Sequence, residues 1–363
     1  MTAKPLGFGI IGTGRMATDF ARELKLVDGA KLQAVVSTEL GKAKLFTRMH
    51  GAGNACGDLD ELLGDASVDV VYVASPNHLH VEHSLAAIAN GKAVLCEKPM
   101  SLDGAGARLV AERARAAGVF FMEGIWTHCL PAFKEARRAV EDGRIGRPRH
   151  LHSEFVLPLR REPGALAFDP ELGGGALLDR GVYAIATSLA LLGGPAVVQG
   201  ASLTGPTGTD ELASILMVCN DAVATMTVGF THVGRNSLRL SGTAGWLEVE
   251  SLVRPLTVTI KAVNTGQVDR RRRIPSFDLR PGRARRWLGR LPTDLLTYSL
   301  TSSGVDTNRH SYSGIGYAYE IEEVVTCIRD DKAESDLVPI DQSVAVMELI
   351  DEIKSHGISR PFS

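Results

Sequence analysis

The run Gly12-Thr13-Gly14-Arg15-Met16-Ala17 follows the apolar segment Leu6–Ile11 and opens Arg15–Leu26, which has helical apolar spacing. A strand, a glycine turn and a helix in that order begin a βαβ unit, and hence a parallel sheet. In the pattern G-x-G-x-x-A, the first glycine permits the tight turn. The second lets a pyrophosphate approach the backbone, and the alanine lets helix and strand pack closely. The helix N-terminus adds unpaired N–H groups and the positive end of its dipole. A glycine-rich turn that binds nothing is the bland reading, and the series that follows weighs against it.

That series covers about 125 residues. Lys31–Val36 reads as a strand, Gly41–Met49 as a short helix and Val68–Ala74 as a buried strand. Leu79–Asn90 is a helix, Ala93–Cys96 a strand, Gly104–Ala117 a helix and Val119–Met122 a further strand. Strands alternating with helices give a parallel sheet covered on both faces. After Gly124 the pattern changes. One helix, Pro131–Glu141, precedes the β-type stretches His150–Leu157, Val197–Leu203, Ala213–Val218, Ala222–Phe230 and Ser237–Ser241, which suit a mostly antiparallel sheet. A helix at Leu177–Leu192 interrupts them, and Tyr317–Arg329 and Gln342–Ser355 close the chain as helices. The expected architecture is an α/β nucleotide-binding domain, 1–124, and an α+β domain, 125–363, with an open, mostly antiparallel sheet. The last two helices belong to the second domain or return to the first.

At 363 residues the chain is long enough for two cores, and 44% hydrophobic with 23% charged residues is an ordinary globular composition. A net charge of −2 lacks the basic footprint of a nucleic-acid-binding protein. Nine of its arginines crowd into 270–290 beside a single acid, Asp278. That stretch reads as an irregular insertion forming a loop or cap, open to trypsin, because so many guanidinium groups cannot be buried without partners. Five scattered cysteines without a C-x-x-C argue against a disulfide framework or a zinc site, so no metal is expected. With no signal-peptide pattern and no apolar run of ~18 residues, the expected setting is cytoplasmic, away from membranes.

Three further pieces carry chemistry. Ser75-Pro76-Asn77-His78-Leu79-His80 ends one strand of the parallel series, and Glu97-Lys98-Pro99 ends the next. In an open α/β sheet, ligands sit beyond the carboxyl ends of the strands, so Ser75, Asn77, His80, Glu97 and Lys98 are candidate cofactor contacts alongside Gly12–Met16. Asn77 reads equally as a helix cap, and His80 as a structural histidine. The third piece is Gly173-Gly174-Gly175-Ala176-Leu177-Leu178-Asp179-Arg180-Gly181-Val182-Tyr183. Its Asp179 and Tyr183, four apart, share one helical face, and flanking apolar residues suggest that the face is buried. At the end of the second strand, Ser37 and Thr38 stand where an acid would hold an NAD ribose. With Lys42 and Lys44 nearby they favour NADP over NAD, although Glu39 would repel a phosphate if it pointed inward.

Taken in order, GTGRMA, PNHLH, EKP and GGGALLDRGVY resemble the glucose–fructose oxidoreductase / inositol dehydrogenase (Gfo/Idh/MocA) family. The stretch Met122–Thr127 and the tail from Gly316 to Leu349 are similar to its branch of dimeric trans-dihydrodiol and D-xylose dehydrogenases. The resemblance implies a Rossmann domain, NADP or NAD as cofactor, and a homo-oligomer, dimer or tetramer, formed through the C-terminal sheet. It also implies a cis Lys98–Pro99 bond, and Lys98 and Tyr183 acting at the reacting hydroxyl with Asp179 beside them. The arginine-rich stretch has no counterpart in the family pattern.

The residue types suit that chemistry. Oxidising a secondary alcohol removes a hydride and a proton. A phenol of pKa near 10 accepts the proton poorly unless a cation such as the Lys98 ammonium favours phenolate. The expected activity is hydride exchange between a nicotinamide and a sugar, polyol or cyclic diol. Trp126 and Phe155 face that substrate or pack the domain junction. His128 and Arg160 are further candidates for the pocket lip, and Cys129 is expected to be a buried small residue. Two other activities fit: a glycoside hydrolase that oxidises and re-reduces its sugar with tightly held NAD, and a dinucleotide sensor without turnover.

Overall fold

A computed structural model describes residues 4–51, 53–162, 164–194, 196–263, 305–312 and 314–361. The arginine-rich stretch 270–290, and the loop or cap expected of it, lie outside the described residues.

The N-terminal part is a six-stranded parallel sheet. Its elements, in chain order, are β1 (Leu6–Ile11), α1 (Arg15–Leu24), β2 (Ala30–Val36), α2 (Leu40–His50), β3 (Asn54–Cys56), α3 (Leu59–Gly64) and β4 (Val70–Val73). They continue with α4 (His80–Ala89), β5 (Ala93–Cys96), α5 (Gly104–Ala117) and β6 (Phe121–Glu123). The strand order is β3-β2-β1-β4-β5-β6, and every pairing is parallel. Every residue of β4 is buried, as a central strand covered on both faces requires. Asp58 and Asp103 cap α3 and α5 by accepting the Glu61 and Gly106 N–H groups.

After α6 (Pro131–Glu141) comes a nine-stranded sheet: β7 (Pro148–Val156), β8 (Ala196–Thr204), β9 (Asp210–Cys219), β10 (Ala222–Gly229), β11 (Asn236–Gly242), β12 (Gly245–Val249), β13 (Thr257–Ala262), β14 (Val305–Arg309) and β15 (Ile358–Pro361). The order is β14-β13-β12-β11-β7-β10-β9-β8-β15, with only β7–β10 and β8–β15 parallel. The sheet is open, and among the described residues β14 and β15 each pair on one side only. α6, α7 (Val182–Leu192) and α9 (Ile340–His356) pack on one face. The other face leaves Val197, Leu216, Val218 and Val223 exposed.

The helix expected at 177–192 is two pieces: a single π-type turn, Leu177–Gly181, and then α7. The short β3 and α3, and the strands β12 to β15, had no counterpart in the sequence reading.

α8 (Tyr317–Arg329) and α9 tie the two sheets together. The Glu23 carboxylate of α1 accepts the N–H groups of Ile315, Gly316 and Ala318, capping α8 from the other domain. Asp351 of α9 accepts the Gly104 N–H at 2.8 Å. The helices left open between two domains in the sequence thus bridge them, and this sets the cleft in which the sequence motifs meet.

Candidate active site

The glycine turn has the shape a dinucleotide needs. Gly12 has φ +110°, and a Cβ there would stand 2.5 Å from the Ala74 carbonyl. Gly14 opens α1 with nothing within 4 Å of where its Cβ would be. No side chain caps α1 and no acid lies in its first turn, so its N–H groups are left for an anion. Arg15 is exposed and Met16 half-buried at this edge. At the end of β2, Thr13 and Ser37 share a hydroxyl hydrogen bond of 3.0 Å. Thr38 is exposed beside them. Glu39 points outward and pairs with Lys42 at 2.6 Å. The residues present therefore fit a dinucleotide, with the pyrophosphate over Gly14.

Behind the cradle, Ser75 bonds His83 at 2.9 Å, and Asn77 donates to the Gly173 carbonyl at 3.1 Å. The Asn77 bond joins the two domains across the cleft. His80, a candidate cofactor contact, is fully buried. Its Nδ1 lies 2.7 Å from the Pro99 carbonyl and its Nε2 2.8 Å from that of Ser75. Both nitrogens are committed to backbone, and burial lowers its pKa despite those two bonds. Its place is the wall of the site rather than the cavity.

Lys98 leaves the end of β5 through a cis Lys98–Pro99 peptide. Its Nζ donates to the Asp179 carbonyl at 2.8 Å and to Asp179 Oδ1 at 2.6 Å. The ammonium lies 5.1 Å from the centroid of the Tyr183 ring. Lys98, 81 residues from Asp179, thus joins Asp179 and Tyr183 in one cluster. Asp179 differs from expectation in one respect: its side chain keeps 42% of its surface exposed, because the widened turn lifts it out of the buried face of α7.

Tyr183 is buried and its oxygen accepts the Trp126 Nε1–H at 2.9 Å. Trp126 is buried beside the phenol and stacks on Tyr317 at 5.0 Å. Desolvation, followed by the nearby Glu97 charge, holds the phenol well above 10, more than the Trp126 bond offsets. The expected lowering by Lys98 is not realised here: the ammonium faces Asp179 instead. Phe155 is half-buried, with the Arg180 guanidinium 4.9 Å from its ring. His128 is a correction. It is buried, stacked on Phe133 at 4.6 Å, bonded to the Leu337 carbonyl, and held by desolvation at a pKa of about 4, away from any pocket lip. Arg160 is exposed, and Cys129 is fully buried.

Several contributors were not singled out in the sequence. Asp210 of β9 accepts the Leu177 N–H at 2.6 Å and fixes the turn that carries Asp179. Glu97, which the sequence did single out as a candidate cofactor contact, is buried beneath Lys98 and accepts the Tyr72 and Tyr317 hydroxyls, the latter at 3.1 Å. Glu123 and Glu320 are buried close by, Glu320 with both oxygens unpartnered. Burial pushes Glu123 up to about 7, against the pull of the Met100 N–H and Lys98. Its folded pKa is above the unfolded value, so its contribution is intact below pH ~4.5 and is lost as pH rises through 7. Such a shift corresponds to ~3 kcal/mol at pH 8. Glu123→Gln keeps the shape without the ionisation. It should raise the melting temperature at pH 8 and leave it unchanged at pH 4, as read by calorimetry.

No group of three or more His, Cys, Asp or Glu able to hold a metal occurs among the described residues. No helix there is long and apolar enough to cross a membrane.

Comparison with known proteins agrees with this architecture. Trans-1,2-dihydrobenzene-1,2-diol dehydrogenase from Homo sapiens is 29% identical over 362 residues, covering 98% of each chain, and the Mus musculus enzyme is also 29% identical. A 3-ketoreductase from Actinomadura kijaniata, solved with NADP and TDP-benzene, has the same fold. Its TM-score is 0.79 at 22% identity, over 99% of this chain and 100% of that one. An aldose-aldose oxidoreductase from Caulobacter crescentus, solved with glycerol, gives 0.79 at 21%, covering 97% of each. Residues 6–125 match the oxidoreductase-family model with an NAD-binding Rossmann fold, and residues 133–248 match the C-terminal domain of the same family. With both of its domains matched, the chain belongs to the Gfo/Idh/MocA family of NAD(P)-binding oxidoreductases.

Proposed function

We propose that the enzyme interconverts a hydroxyl and a carbonyl on a sugar, polyol or cyclic diol, with Tyr183 as proton carrier. The observation that carries this reading is the Lys98–Asp179–Tyr183 cluster at the mouth of the glycine cradle. When bound, the nicotinamide supplies or accepts the hydride at its C4. In the reducing direction, Tyr183 gives its proton to the carbonyl oxygen as that oxygen becomes a hydroxyl. A phenol held well above 10 arrives protonated at any physiological pH, which suits a donor. The Trp126 N–H then remains on the phenolate oxygen, and the Lys98 ammonium stabilises the substrate oxygen as it gains negative charge. Asp179 keeps Lys98 in place.

NADP is the favoured cofactor. Ser37 and Thr38 offer hydroxyls rather than an acid at the ribose, and Glu39 is turned to Lys42. The test follows nicotinamide absorbance with both cofactors against aldoses, keto sugars, polyols and dihydrodiols. Turnover of at least one class, faster with NADP(H), is the expected result. A cofactor that survives dialysis and shows no net absorbance change during glycoside cleavage would favour the hydrolase.

The same reading includes a homo-oligomer formed through the open sheet. Val197, Val218 and Val223 pair across β8, β9 and β10 as one apolar row on the uncovered face, with Leu216 in the next row. Such a row suits contact with a second copy. Val218→Lys places a charge in the middle of it. Light scattering should show the wild type as a dimer or tetramer and this variant as a monomer, with circular dichroism unchanged.

A further inference from the structure

Asp179 has cations on both sides. Lys98 Nζ sits on Oδ1 at 2.6 Å, and Arg180 Nε lies 3.7 Å from Oδ2. Arg180 is only 8% exposed, and Asp179 is its sole ion-pair partner among the described residues. Its guanidinium lies between Phe155 and Phe230, 4.9 and 4.6 Å from the ring centroids. Nη1 donates to the Leu157 carbonyl at 2.7 Å and to that of Gly229. These anchors fix where the charge stands independently of Asp179.

The Gly229 carbonyl does not depend on the Arg180 N–H. Strands β7 and β10 pair through their own backbone, and the Gly229 carbonyl already accepts the Leu157 N–H at 3.2 Å. The flanking surface is aromatic and would accept an apolar side chain. A buried guanidinium is costly, and its nearest carboxylate is that of Asp179.

We infer that Arg180 is a positioning residue for the reaction, holding the Oδ2 side of Asp179 so that Oδ1 stays on Lys98. The inference rests on Lys98 and Asp179 acting as proposed above. Sharing one carboxylate between two cations leaves Lys98 only partly neutralised. Lys98, Arg180 and Asp179 together then carry one positive charge where the carbonyl oxygen gains negative charge, opposed by the Glu97 carboxyl beneath Lys98, which burial shifts toward its neutral form. The balance at Asp179 is consistent with this. Desolvation acts to raise its carboxyl, but Lys98 first, then Arg180 and Arg15 on α1, bring it below its usual range.

The test uses the full-length protein labelled with ¹³C at the aspartate carboxyls, the Asp179 signal being assigned by its loss in Asp179→Asn. Arg180→Met should raise the Asp179 titration midpoint by about 1 unit, the scale of one close opposite charge. Arg180→Lys should fall between, and it decides the matter if the methionine variant fails to fold. On the most active substrate of the absorbance panel, kcat of Arg180→Met should drop roughly 10-fold with KM little changed, the pattern of a group acting in the transition state. Millimolar guanidinium chloride should restore part of that rate in Arg180→Met, and sodium chloride should not. An unchanged Asp179 midpoint in folded variants would overturn the inference, as would an unchanged kcat. Wild-type turnover in Asp179→Asn would instead remove the underlying site reading, and it is told apart because the midpoint shift would survive.

Discussion

Tyr183→Phe should lower kcat by ~10²–10⁴-fold, the range for a positioned acid–base group. Affinity for the dinucleotide should stay within about twofold, because the glycine turn is untouched. Phe keeps the ring in its buried slot. Only the oxygen is lost, and with it the acceptor of the Trp126 N–H. That vacated bond should cost ~1 kcal/mol of stability, too little to unfold the protein. Lys98→Met should be comparably severe, since it removes the cation between Asp179 and the phenol. Steady-state kinetics at saturating cofactor, with fluorescence titration of the cofactor, separates the two effects. Near-normal turnover in Tyr183→Phe would make the tyrosine structural.

The second large effect is expected at Gly14. Its backbone has φ −73°, which any residue adopts, and a Cβ would meet nothing within 4 Å. Gly14→Val should therefore fold with an unchanged melting temperature. Its side chain would occupy the approach of a pyrophosphate to the N–H groups of α1. A hydrogen bond to a charged group is worth ~1.5–3 kcal/mol, so losing one or two should weaken cofactor binding by roughly 10- to 10⁴-fold. Gly12→Ala is the contrast. It combines φ +110° with a contact 2.5 Å from the Ala74 carbonyl, and should destabilise the fold itself. Thermal unfolding alongside cofactor titration distinguishes the pair.

The parts of the protein legible in the sequence are those governed by local rules. The cradle was readable because a turn between strand and helix needs glycine at fixed offsets, and the Lys98 position because ligands gather at strand ends. The three-residue β3 is too short to show periodicity. The single widened turn at Leu177–Gly181 leaves no compositional mark, so Asp179 was expected on the buried face with Tyr183 and emerged half-exposed. His80 sat on the correct segment, but only the fold shows that two carbonyls take both of its nitrogens. Asp210 reaches the Leu177 N–H, and Arg180 is anchored on the Leu157 and Gly229 carbonyls, from positions distant in sequence that no spacing rule reaches. The charge environment of Tyr183 was likewise hidden: the Glu97 carboxylate behind it arrives by way of the sheet, whereas Lys98, the cation expected to offset it, turns to Asp179.

The most direct test of the central claim is the fate of deuterium placed at both C4 positions of the reduced nicotinamide, with a carbonyl sugar or diketone as acceptor in ordinary water. Mass spectrometry and NMR of the product should find one deuterium on the new carbinol carbon and none on oxygen. Tyr183→Phe should give the same label at a rate ~10²–10⁴-fold lower. Product without label, or label formed at the wild-type rate without the Tyr183 hydroxyl, would contradict hydride transfer assisted by this residue.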